Sequence, residues 1–253
     1  MFAIAPRLMP RQRRYGIRGA LLALCLWLMP QVATADEPIT GAHFLGETRV
    51  YAHGVLGDET EYAVLAIDSE TTDGQRLRRS FSVAPEHVFE DLEPRLWDLD
   101  SDGAPEVVVV LTSVTQGASL AAFTTDGLLA RTPFIGRKNR WLAPVAAADL
   151  DGDGRVEIAY IDRPHLAKTL RLWRLEQDRL VEITTLSGLT NHRIGDDFIQ
   201  SGVRDCGSGP ELITADATWQ SVMATTFDGN QLRSRQIADY TNPDDITTAL
   251  NCG

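Results

Sequence analysis

Cysteine, aromatic residues and basic charge are all scarce in this chain, and no apolar run is long. Its 253 residues include 3 cysteines, 7% aromatic residues, and 24 Lys and Arg against 35 Asp and Glu. The formal charge of −11 at pH 7 repels polyanions, which excludes nucleic acid and anionic lipid surfaces as partners. The longest apolar stretch, Ala20 to Met29, is ten residues, whereas a helix crossing a bilayer needs about 20. The chain is therefore read as not membrane-spanning. Catalytic signatures are missing too: there is no Gly-x-Ser-x-Gly, no His-Glu-x-x-His, no phosphate-cradling glycine loop and no Cys-x-x-Cys.

What is present begins with an N-terminal address. Residues 1–35 carry Arg7, Arg11, Arg13, Arg14 and Arg18 with no acid, then the apolar stretch, Pro30, and Ala33-Thr34-Ala35 ahead of Asp36. Basic start, short apolar centre and small residues before the cut describe a secretory signal peptide cleaved near Ala35. Arg13-Arg14 fits the twin-arginine or the Sec route, and Gly16, where the former has a bulky residue, favours Sec. Cys25 follows Leu24 rather than a small residue, so lipidation is not expected. Residues 36–253 then form the mature domain, periplasmic or secreted. Taking those five arginines from the 24 basic residues leaves 19 against 35 acidic ones.

Removing residues 1–35 leaves two cysteines, Cys206 and Cys252. In an oxidising compartment they are expected to pair. Two free thiols or a redox pair are the alternatives, and the missing Cys-x-x-Cys weighs against the second.

Internal repetition carries most of the information. Trp97 to Val108 reads Trp-Asp-Leu-Asp-Ser-Asp-Gly-Ala-Pro-Glu-Val-Val and returns, 51 residues on, as Ala-Asp-Leu-Asp-Gly-Asp-Gly-Arg-Val-Glu-Ile-Ala from Ala148 to Ala159. Weaker copies are Asp205 to Leu212 and His53 to Tyr62. The copies divide the mature chain into four units. After each copy comes a short run of β-formers: Glu61 to Ile67, Val107 to Leu111, Glu157 to Ile161 and Glu211 to Thr214. Alternating stretches closed by Asp126-Gly127, Gln177-Asp178 and Asp228-Gly229 predict hairpins. Repeated short antiparallel strands with no convincing helix predict an all-β fold, a β-propeller of four blade repeats with room for a partial extra blade from the two termini.

The two strong loops resemble FG-GAP or VCBS repeats of integrin-α-like propellers, whose signature Asp-x-Asp-x-Asp-Gly-x-x-(Asp/Glu) leads into a strand. The resemblance implies a propeller with calcium in the loop between the first two strands of a blade, and no enzymatic activity. The residue chemistry agrees: Asp98, Asp100 and Asp102, and Asp149, Asp151 and Asp153, stand at positions 1, 3 and 5 of a calcium loop. Ala104 and Arg155 offer carbonyls at position 7, and Glu106 and Glu157 offer carboxylates at position 9. Val109 and Tyr160 at position 12 exclude an EF-hand. An Asp/Gly turn held by hydrogen bonds without metal is the competing reading. The other two units have His53, Val55, Gly57 and Val203, Asp205, Gly207 at positions 1, 3 and 5, which do not make a cation site.

About ten residues before each loop comes a polar ring or long cation beside an apolar residue: His43, His87, Arg140 with Trp141, and His192 with Arg193. In a propeller these segments gather on the face opposite the acidic loops. They are the predicted ligand-binding residues, with stacking between blades as the alternative role. The functional expectation is an exported binding or scaffolding module for a protein or polysaccharide of the cell envelope. The alternative is an envelope hydrolase or lyase working through the same His/Arg-rich face.

Overall fold

The computed structural model describes residues 37–57 and 59–253; residues 1–35, where a signal peptide is expected, lie outside the described residues. Strands form where the β-branched runs and the repeated glutamates place them. The first unit comprises β1 (Ile39–Thr48), β2 (Glu61–Glu70) and β3 (Arg76–Ser82). The second comprises β4 (His87–Phe89), β5 (Arg95–Trp97), β6 (Glu106–Ser113), β7 (Gly117–Thr124) and β8 (Gly127–Arg131). The third comprises β9 (Leu142–Ala148), β10 (Glu157–Asp162), β11 (Thr169–Glu176) and β12 (Arg179–Ser187). The fourth comprises β13 (Leu189–Thr190), β14 (Gly202–Asp205), β15 (Pro210–Asp216), β16 (Ser221–Phe227) and β17 (Leu232–Asp239), followed by α1 (Pro243–Leu250). In the third unit the strands pair in chain order as an antiparallel meander. In the second and fourth units the first strand is broken, so that β4 and β5 share β6, and β13 and β14 share β15.

Burial shows how the units are stacked. All eight residues of β6 and all six of β10 are buried, whereas β3 alternates between exposed and half-buried along its length. A strand buried on both faces lies inside a layered stack. Val107, Val109 and Leu111 face one way, onto Leu65 and Ile67 of the first unit. Val108 and Val110 face the other, onto Leu142, Ile158 and Tyr160 of the third. Ala159 and Ile161 in turn meet Leu212 and Phe227 of the fourth. Each layer boundary is thus an apolar cluster drawn from alternate strand residues of neighbouring units.

The two ends of this stack differ. On the first unit His43, Asp68 and Arg78 form a solvent-facing polar set, with Arg78 Nε 2.7 Å from Asp68. On the fourth, Ile213, Ala215, Val222 and Ala224 are covered by Ile246 and Ala249 of α1. That helix is the element the sequence reading missed. Its signal is Asn242-Pro243-Asp244-Asp245: Asn242 caps Asp244 N–H at 2.8 Å and Asp245 accepts from Asn242 N–H at 2.9 Å, with Pro243 in the first turn.

The all-β class stands, while the finer expectation of four separate blades is not shown. Phe89 of β4 pairs with Tyr62 of β2, so the first two units merge into one eight-stranded sheet and the described residues form three sheets rather than four separate blades. Among the described residues the terminal elements are β1, which pairs with β2, and α1, and neither adds a further sheet. The described sheets do not close into a ring.

Cys206 and Cys252 are bonded, with Cα atoms 5.7 Å apart. The bond ties the turn after β14 to the second residue after α1, where Arg204 also donates to Ala249 O at 2.7 Å. Both contacts anchor the helix that finishes the stack. Reducing the bond, or replacing Cys206 by Ser, is expected to destabilise the protein by about 2–4 kcal/mol, with α1 amides losing protection first in hydrogen exchange. Unchanged unfolding curves in reductant would contradict this.

Candidate functional site

The two acidic loops are near-copies in their backbone. Gly103 N–H donates to Asp98 Oδ2 at 3.0 Å and Gly154 N–H to Asp149 Oδ2 at 2.9 Å. Asp102 N–H reaches Asp100 at 3.2 Å, and Asp153 N–H reaches Asp151 at 3.1 Å. Gly103 and Gly154 stand at φ 90° and 87°, the left-handed region that glycine enters without strain. At the base, Glu106 and Glu157 each accept a hydrogen bond from the loop backbone, from Leu99 and Leu150 N–H, both at 2.8 Å. Each glutamate is the first residue of its strand and is buried.

Three carboxylates converge in each loop: Asp98, Asp100 and Glu106 in one, Asp149, Asp151 and Glu157 in the other, with ligand atoms within 4.8 Å of one another. Of the position-5 residues, Asp102 Oδ1 accepts from Ala104 N–H and Asp153 Oδ1 accepts from Arg155 N–H. They brace the turn on its exposed side. Ala104 is half-buried beside Glu106, and the Arg155 side chain lies outside on Asp153 and Glu176. Position 9 also holds a buried glutamate in the other units, Glu61 and Glu211. Those two could have been read from the repeat register, since each stands eight residues after its unit's first loop position.

The loops part company in their charge balance. In the first, Asp98 Oδ1 is buried with no hydrogen-bond partner. Burial, followed by the nearby Asp100 charge among the unfavourable contributions, pushes the Glu106 carboxyl up to about 7, against the Leu99 hydrogen bond. Asp100 is also raised, by burial and by the charges of Asp102 and Asp98. Three carboxylates held this way with no paired cation suit a divalent ion with hard oxygen ligands. In the second loop, Asp149 Oδ1 accepts from Gly152 N–H at 2.8 Å and Asp153 N–H at 3.1 Å. Arg174 of β11 enters that loop and bonds Glu157, Asp151 at 2.9 Å and Asp153 at 3.1 Å.

At the opposite end of the sheets the predicted ligand-binding residues have separate surroundings. His43 belongs to β1 and lies 3.7 Å from Asp68 on the outer face of the first unit. His87 starts β4 and stacks on Phe134 at 5.5 Å. Arg140 is half-buried, and its carbonyl accepts from Ala118 N–H at 2.8 Å. Trp141 is 2% exposed and its Nε1–H donates to Glu90 O at 2.9 Å, while His192 is fully buried against it, ring centroids 4.9 Å apart. Those two are packing residues between units. Arg193 alone is exposed, its guanidinium 4.5 Å from the Trp219 ring centroid and 5.4 Å from that of Tyr240.

Sequence reasoning missed the histidine pairs behind this end. His53 Nδ1 lies 2.5 Å from the buried Glu90, and His165 Nε2 lies 3.1 Å from His192 Nδ1. Desolvation, then the charge of His192, pushes His165 down to about 4, with His53 and Lys168 adding to the repulsion. His192 is lowered by burial, and Glu90 is raised by burial against the pull of His53. No spacing rule links these residues, because the stack brings them together from different units.

Compared with known proteins, residues 98–160 match the family of FG-GAP-like repeats. The chain therefore contains an FG-GAP-like repeat, and the match spans both acidic loops. No curated protein matches the chain. Among the described residues no helix is long and apolar enough to cross a membrane.

The histidine shifts set a pH dependence. A buried His with folded pKa below its ordinary value of 6.5 stabilises fully above 6.5, and that stability is lost as pH falls from 6.5 toward about 4. The raised Glu90 carboxyl works in the opposite sense, so the comparison is made by substitution. His165→Gln is expected to flatten the loss of stability between pH 7 and pH 4.5 by about 1–3 kcal/mol. Parallel wild-type and variant curves in that window would refute the assignment.

Proposed function

We propose that the chain is an exported binding or scaffolding module of β-propeller type, with a structural Ca²⁺ in the 98–106 loop and its recognition surface at the other end of the sheets. Its partner is a protein or polysaccharide of the cell envelope. The observation that carries this reading is the eleven-residue segment 191–201, inserted between β13 and β14 of the fourth unit. It presents Ile194 at 72% exposure and Phe198 at 41%, next to an Arg193 already held over two aromatic rings. Exposed apolar groups beside an ordered guanidinium match the composition of interface hot spots. A hydrolase or lyase at the same end could not use His192 on substrate as it stands, because His192 is buried against Trp141. The FG-GAP-like repeat supports the binding class, and the disulfide is compatible with export.

Two measurements test this. Mature protein used as bait in envelope extract, and on a glycan array, is expected to capture one partner class, with Arg193→Ala/Ile194→Ser weakening capture tenfold or more. Equal capture by the folded variant would place recognition elsewhere. For the metal, Ca²⁺ at about 100 times its Kd stabilises by about 2.7 kcal/mol, a rise in Tm of several degrees for a domain of this size. Chelation is expected to reverse it and Asp98→Ala/Asp100→Ala to abolish it. Identical melting in Ca²⁺ and chelator would reject calcium in this protein.

A further inference from the structure

The two acidic loops share one sequence signature, yet only one lacks an internal cation. We infer that Arg174 permanently occupies the cation position of the 149–157 loop, so that this loop is a metal-independent copy of the calcium loop and the chain has one calcium site, not two. The inference rests on the calcium reading of the first loop only for its count.

The geometry is specific. Arg174 stands directly across from Glu157 in the β10–β11 pairing. From there its Nε bonds Glu157, and its Nη2 lies 2.9 Å from Asp151 and 3.1 Å from Asp153. One fixed guanidinium thus satisfies the carboxylates at positions 3, 5 and 9, three of those a calcium ion would draw together. Arg174 is 5% exposed, and the fourth unit closes over it: the Phe227 ring centroid lies 5.9 Å away, and a Cβ on Gly229 would stand 3.2 Å from Asp151 Oδ2. A buried cation held by three carboxylates is not displaced without leaving its own charge unpaired in the interior. A metal entering the loop would have to expel it.

The first loop differs at the matching place. Val107 pairs with Phe123, so the residue across from Glu106 is Thr124, which brings no charge. There Asp98 Oδ1 stays without a partner. The fourth unit repeats the arginine solution by another route: Arg204 lies 3.0 Å and Arg235 2.5 Å from Glu211. The glutamate at the head of the second strand therefore keeps its place while its counter-cation changes from unit to unit.

Bound Ca²⁺ per chain, measured by equilibrium dialysis on mature protein, tests this. Wild type is expected to bind one ion, lost in Asp100→Ala and kept in Asp151→Ala. Arg174→Thr, which copies the first loop, is expected to bind two, and Thr124→Arg, which copies the second, none. Wild type binding two ions, loss of the ion in Asp151→Ala, or a folded Arg174→Thr protein gaining no ion would each overturn the inference. Wild type binding none while Arg174→Thr binds one would leave it standing and remove the calcium reading of the first loop. The wild-type and Asp151→Ala arms decide the matter even if Arg174→Thr does not fold.

Discussion

A carboxylate buried at the first or second residue of each unit's second strand is the constraint around which the rest of the molecule is arranged. Glu61, Glu106, Glu157 and Glu211 are all buried, and in the two complete loops the glutamate accepts the backbone N–H that starts the turn. A buried carboxylate is costly unless hydrogen bonds and opposite charge meet it. Placing it there fixes where the loop ends, where the strand begins, and how the loop folds back over it. The strand it starts is the one buried on both faces in the second and third units, so the position of the glutamate also sets which residues enter each interface between layers.

Each unit then answers the same electrostatic demand differently. The third uses Arg174 from the adjacent strand and the fourth uses Arg204 and Arg235. Among the described residues the second brings no arginine to its carboxylates: burial, with the charges of Asp100 and Asp102 adding to it, raises Glu106 to about 7, and Asp98 Oδ1 is unsatisfied. On the proposal made above, that imbalance is what separates a loop that takes a divalent cation from one that needs none, although both carry Asp-x-Asp-x-Asp-Gly-x-x-Glu.

Local features were legible in the sequence because they depend on neighbours along the chain. The second strands of all four units and the hairpins at Asp126-Gly127 and Asp228-Gly229 are of this kind, whereas the Cys206–Cys252 pair, 46 residues apart, was legible because residues 36–253 hold only two cysteines. The convergence of Asp98, Asp100 and Glu106 also follows from spacing alone. Features set by packing between units were not legible. Trp141 and His192 look like surface ligands because their segments precede a loop, yet they touch each other across a layer and are buried. The end of the stack was misjudged because a capping box at Asn242 outweighs the β-rich surroundings and converts the last segment into a helix. Arg174 escaped notice because its role depends on the cross-strand register of a hairpin rather than on the motif it serves.

The central claim is that one buried-glutamate framework holds two different cations. Anomalous diffraction from crystals of mature protein grown in Ca²⁺ tests it most directly. The account predicts a single calcium peak among Asp98, Asp100 and Glu106, at about 2.3–2.6 Å from their oxygens, with the Arg174 guanidinium filling the other loop. Comparable calcium peaks in both loops, with Arg174 turned away, would contradict it.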